Sequence, residues 1–78
     1  NTPNSKDKLL QERTNLAKEL HKLENDLKVL ENNIGFFSKS KNAENLVKDF
    51  AKKIDEGRLQ AEKLKEQIKY IDNLMKQN

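Results

Sequence analysis

The chain has no cysteine and no tryptophan, a single proline, two glycines and four aromatic residues among its 78. Without cysteine there is no disulfide framework and no thiolate metal site, a composition that fits a reducing compartment. No apolar run approaches the roughly 18 to 20 residues needed to cross a bilayer, and no charged-then-apolar leader opens the chain. Near-absence of proline and glycine leaves little to interrupt long helices. The short length allows one domain with a modest core, too small for a deep catalytic cleft.

What is present is helix-forming. Ala, Glu, Lys, Leu and Arg make up half of the chain, the composition of coiled coils and long helices. Charged residues account for 37% of the chain and the formal net charge is +3. The two signs alternate along the chain, which argues only weakly for a polyanionic partner. Low hydrophobicity raises the prospect of disorder, and the apolar periodicity decides against it.

Leu9, Leu16, Leu20, Leu23, Leu27, Leu30 and Ile34 step by three and four, with Arg13 the one polar intruder. Ala43, Val47, Phe50, Ile54, Gly57, Ala61, Leu64, Ile68, Ile71 and Met75 form a second seam of the same period. Such seams are the signature of paired helices. Expected boundaries are a helix over 3–34, a bend over 35–42 and a helix over 43–77. Thr2 or Ser5 would cap the first helix with Pro3 at its first position, and Asn42 would cap the second with Glu44 in its first turn. Gly35 stands one residue past the last seam position, where a left-handed cap calls for glycine. Phe36 would then fold back towards Leu30, and Phe37 would cover the bend.

A short connection makes the helices antiparallel, and facing residues should then have numbers of constant sum. Ile34 with Ala43, Leu30 with Val47, Leu27 with Phe50, Leu23 with Ile54, Leu20 with Gly57, Leu16 with Ala61, Arg13 with Leu64 and Leu9 with Ile68 satisfy that rule. Gly57 opposite Leu20 predicts close approach or a bend, since glycine costs about 1 kcal/mol in a helix interior. Asp26 near Lys53 and Glu24 near Arg58 would reinforce this register. The fold class is all-α, an antiparallel two-helix coiled-coil hairpin about 45 to 50 Å long at 1.5 Å per residue.

No catalytic, cofactor-binding or metal-ligating constellation emerges. His21 is the sole histidine and falls on an outer position, without a second ligand at metal-binding spacing. Glu62 and Glu66 share a helix face but stand among lysines, with no pocket to raise a pKa. Ser5, Ser38 and Ser40 lack a base, and no glycine-rich phosphate loop occurs. The expectation is a non-enzyme without cofactor. Apolar residues outside the seam, Leu10, Val29, Leu46, Leu59, Tyr70 and Leu74, exceed what a two-helix rod can bury. Self-association into a four-helix arrangement, or docking on neighbouring helices of a longer chain, is their natural outlet. Candidate contact residues are Phe36 and Phe37 at the bend and Leu46, Leu59 and Leu74 on the flank. The rival reading is a nucleic-acid-binding arm using the outer lysines Lys48, Lys52, Lys63 and Lys69. Acidic residues are interleaved with these, whereas a nucleic-acid stripe segregates the signs and adds arginine.

The run Leu30 to Asp55, LENNIGFFSKSKNAENLVKDFAKKID, resembles the ENN-x-GFF segment near the C-terminal end of bacterial helical proteins of the domain of unknown function 349 family, on Glu31, Asn32, Asn33, Gly35, Phe36 and Phe37. The resemblance covers about a third of the chain. It implies a segment of a longer, cytoplasmic coiled-coil protein and supplies no catalytic residue; a first residue other than Met fits the same expectation. A looser similarity is to the helical arm at the C-terminus of bacterial valyl-tRNA synthetases, which contacts tRNA. The Ala-Pro that follows the bend of that arm is missing here.

Overall fold

The computed structural model describes residues 5–77, and the expected cap positions Thr2 and Pro3 lie outside them. Two helices of equal length, α1 (Ser5–Phe37) and α2 (Glu44–Lys76), lie side by side, joined by a single 3₁₀ turn at Lys41–Ala43. The molecule is an all-α helical hairpin measuring 62 × 18 × 13 Å. Each helix of 33 residues is about 50 Å long at 1.5 Å per residue, so the rod is two helices wide from end to end.

The core is a single thin line of apolar contacts. Leu27, Ala43, Ile54, Ala61, Leu64 and Ile71 are buried, and Leu64, at 2% exposure, is the most enclosed. On α2 the buried residues Ile54, Ala61, Leu64 and Ile71 repeat at seven-residue and three-residue steps, as the seam requires. The remaining seam residues of both helices are half-buried, because one facing helix cannot cover a whole side chain. Among the described residues no polar side chain is buried.

The bend differs from the sequence expectation. The first helix does not stop at Ile34 but continues through Gly35 and Phe36 to Phe37. Gly35 therefore has no left-handed φ; no residue with positive φ occurs among the described residues. The Ser38 amide still donates to the Ile34 carbonyl at 2.8 Å, and the Ser38 hydroxyl donates to the Gly35 carbonyl at 3.1 Å, so Ser38 takes the capping role. Phe36 is turned outward, away from Leu30, and is 80% exposed. Phe37 supplies the reason for the extra turn: its ring centroid lies 6.3 Å from that of Phe50 on α2 and 5.0 Å, edge-on, from that of Phe36. An aromatic contact of this kind adds about 0.5–1.5 kcal/mol beyond its area, enough to offset a helical glycine. Asn42 lies inside the 3₁₀ turn rather than capping α2. Ala43 precedes that helix and has no side chain to cap it. Ser5 lies within α1 rather than capping it.

Moving the bend moves the register. A β-carbon on Gly57 would come within 2.5 Å of Leu27 Cδ2 and 3.7 Å of Leu23 Cδ1, so Gly57 faces Leu27 rather than Leu20. Arg58 reaches Glu31 Oε1 at 3.3 Å rather than Glu24. Arg13 meets Asp72 instead of the layer of Leu64, and Phe50 packs against Phe37 instead of facing Leu27. The partners of Gly57 and Arg58 are each displaced by one heptad, from Leu20 to Leu27 and from Glu24 to Glu31, and the Arg13 and Phe50 contacts move in the same direction. A seven-residue seam matches itself at every whole-heptad offset, so the constant-sum rule leaves the offset to the bend. Lengthening α1 to Phe37 moves the bend along the chain, and the seam settles at the next whole-heptad offset in that direction. Asp26 and Lys53 are both exposed and form no ion pair with each other. Close approach at Gly57 is as expected, with a different leucine filling the space.

Candidate interaction surfaces

A rod with so thin a core leaves much surface uncovered. Its accessible area is 6454 Å², against about 4,900 Å² for a compact monomer of this mass. Large apolar side chains contribute to the excess: Phe36, Tyr70 and Leu59 are each more than 60% exposed, and Leu10, Val29 and Leu46 are exposed as well. Scattered exposed leucines are ordinary; their arrangement is what matters.

In heptad terms Val29, Phe36, Leu46, Tyr70 and Leu74 all fall on one side of the seam, at outer positions next to one flank. They are grouped at the two ends of the rod. Near the bend, Val29 and Phe36 of α1 and Leu46 of α2 are exposed. Near the open end, Tyr70 and Leu74 of α2 join Leu9 and Leu16 of α1 around a shallow groove of about 390 Å³. Between the two ends the same flank carries Asp26, Lys53, Glu56 and Lys63, all exposed. Leu10 lies on the opposite flank, and Leu59 faces outward on α2.

The five apolar contact candidates therefore separate. Phe36, Leu46 and Leu59 are exposed, whereas Phe37 and Leu74 are half-buried, the first in the aromatic closure of the tip and the second in the open-end groove. Sequence reasoning missed Tyr70 as a groove residue and folded Phe36 back on the last turn of α1, whereas Phe36 is the outward ring and Phe37 the enclosed one. Adjacent helical residues point about 100° apart, which was the available signal once the helix is known to pass through both.

Lys48, Lys52, Lys63 and Lys69 are all exposed on α2. They spread along about 32 Å of helix at 1.5 Å per residue and lie on three different outer positions rather than in one stripe. Lys48 is paired with Glu44 at 3.5 Å, and the neighbouring Lys65 with Glu62 at 3.8 Å. His21 is exposed on the outer face of α1, in a concavity walled by that helix alone. Among the described residues no group of three or more His, Asp or Glu side chains is placed to hold a metal ion, and no helix is long and apolar enough to cross a membrane.

Electrostatic definition is concentrated at one point. Arg13 Nε donates to Asp72 Oδ1 at 2.5 Å and Nη2 to Oδ2 at 3.3 Å, a two-pronged contact between residues 59 apart in sequence. The hydrogen bond from Arg13 lowers the Asp72 pKa below the ordinary carboxylate value, partly opposed by desolvation and helped by the charges of Arg13 and Lys76. The same bond raises Arg13 further above its own ordinary value. Planar fork-to-carboxylate geometry fixes orientation as well as distance, so the one polar residue in the α1 seam has a defined partner.

Comparison with known proteins brings no relative: no family model, curated protein or solved structure matches the chain.

Proposed function

We propose that the hairpin is a non-enzymatic coiled-coil interaction or scaffolding module, part of a larger bacterial cytoplasmic protein of the domain of unknown function 349 type. Its parent and setting rest on the resemblance of Glu31 to Asn33 and Gly35 to Phe37 to that family. The observation that carries the interaction reading is the set of apolar side chains held in the open along one flank, with Phe36 the most exposed of all. Apolar surface so placed is the usual mark of a contact site, and a second copy of the hairpin, giving a four-helix arrangement, is the simplest partner.

Sedimentation equilibrium across a concentration series tests this. The expected result is a reversible dimer that Phe36→Ser with Tyr70→Ser returns to monomer while helicity is kept. A strictly monomeric chain at millimolar concentration removes self-association, and RNA or DNA binding at about 50 mM salt that weakens steeply as salt rises would replace the reading with the lysine-driven arm.

A further inference from the structure

We propose that the hairpin is a two-register device: besides the register described above, the chain closes in a second one displaced by one heptad, with α1 ending at Ile34 and the bend running from Gly35 to Asn42. Gly35 is helical, has no positive φ, and a β-carbon placed on it would meet nothing within 4 Å. Neither backbone conformation nor packing in the first register calls for glycine there. In the second register the same residue stands one past the helix end, where glycine's conformational freedom is used.

Other contacts transfer with the slide. The space over Gly57 is filled by Leu27; seven residues earlier in α1 stands Leu20, the same side chain on the same seam position. Arg58 pairs with Glu31, and seven residues earlier stands Glu24, again a carboxylate. The apolar seam matches itself after the shift for the same reason.

The Arg13 contact does not transfer. Arg13 is held by Asp72 in the first register, and the second sets it beside Leu64 and Lys65, a like charge. Arg13 with Asp72 is thus the latch, near the open end. Phe37 on Phe50 at the tip and the burial of Ile71 also belong to the first register alone, which makes the second the minor state. The slide moves one helix past the other by about 10 Å, seven residues at 1.5 Å each. It frees Phe37 at one end when the latch opens at the other. A partner that takes the freed aromatic selects the second register.

Because the chain has no cysteine, engineered pairs read each register without background. Glu31→Cys with Arg58→Cys reports the first, Glu24→Cys with Arg58→Cys the second, and Ala17→Cys with Arg58→Cys, which fits neither, reports random closure. Disulfide formation in a glutathione buffer is followed for each pair in the whole chain. The expected order is first register fastest, second register slower, and the control slowest. Two latch variants, Asp72→Lys and Arg13→Glu, should each speed the second-register pair about fivefold relative to the control, the size expected for turning a half-exposed ion pair into a repulsion or moving it to Lys65. Gly35→Ala should slow it. Equal rates for the second-register and control pairs in both latch variants overturn the proposal, and so does a rise of both together, which reports unfolding; circular dichroism on each variant identifies that case.

Discussion

Arg13 and Asp72 face each other across the seam with both prongs of the guanidinium engaged, although one is near the start of α1 and the other near the end of α2. The contact gives the hairpin a pH dependence of definite sign. The Asp72 pKa is depressed in the folded chain. Its contribution to stability is therefore complete above the unfolded carboxylate value of about 3.9 and is lost as pH falls through the lower folded value. Urea midpoints measured from pH 6 down to pH 2 should show a decline below about pH 4 that is shallower in Asp72→Asn. Parallel curves for the two proteins would contradict the role given to this pair.

The two glycines should respond in opposite directions to the same change. Gly35→Ala adds a methyl group to an exposed helical site with nothing near it, and should stabilise by about 0.5–1 kcal/mol, raising Tm by several degrees. Gly57→Ala drives its β-carbon against Leu27 Cδ2 and Cγ. Overpacking of about 2 kcal/mol less about 1 kcal/mol of helix propensity leaves a net loss of about 1 kcal/mol. Thermal unfolding of the two variants beside the parent decides both signs in one experiment.

These two glycines also mark how much of the structure is legible in the sequence. Heptad spacing identifies the helices, the antiparallel pairing and nearly every seam residue, because burial of a stripe repeating every three or four residues is a local property. The bend is less legible. Gly35 fits the position after a helix, but the contact between Phe37 and Phe50 that extends α1 past it depends on the other helix. Register inherits that difficulty, since a repeating seam is blind to whole-heptad offsets. Arg13 held the missing information: an arginine in the seam needs an acidic partner at its own level, and Asp72 rather than Lys65 meets that need. The interaction surface was half legible. Off-seam leucines are visible in sequence, while the separation of exposed Phe36 from enclosed Phe37 requires the helix to pass through both.

Core and flank leucines of α2 should differ sharply. Leu64→Ala empties the most enclosed site in the molecule and should cost about 2–5 kcal/mol, a large share of what so small a domain has. Leu59→Ala, on the outer face, should stay within about 0.5 kcal/mol. Urea denaturation followed by circular dichroism at 222 nm measures both.

At the tip, Phe37→Ala should lower stability by about 1–2 kcal/mol through loss of the aromatic contact with Phe50 and its buried area. Phe36→Ser should leave the unfolding curve unchanged and weaken association instead. A stability loss from Phe36→Ser equal to that from Phe37→Ala would contradict the division of labour between the adjacent rings.

The most direct test of the hairpin and its register is a nuclear Overhauser measurement on protein labelled at leucine methyl groups. Close approach of Leu27 Cδ2 to the Gly57 backbone predicts a strong cross-peak between a Leu27 methyl and the Gly57 α-protons, with the corresponding Leu20 peak weak. A dominant Leu20 peak would place the major population one heptad away, and the absence of any cross-peak from Gly57 to a leucine of α1 would contradict the hairpin itself.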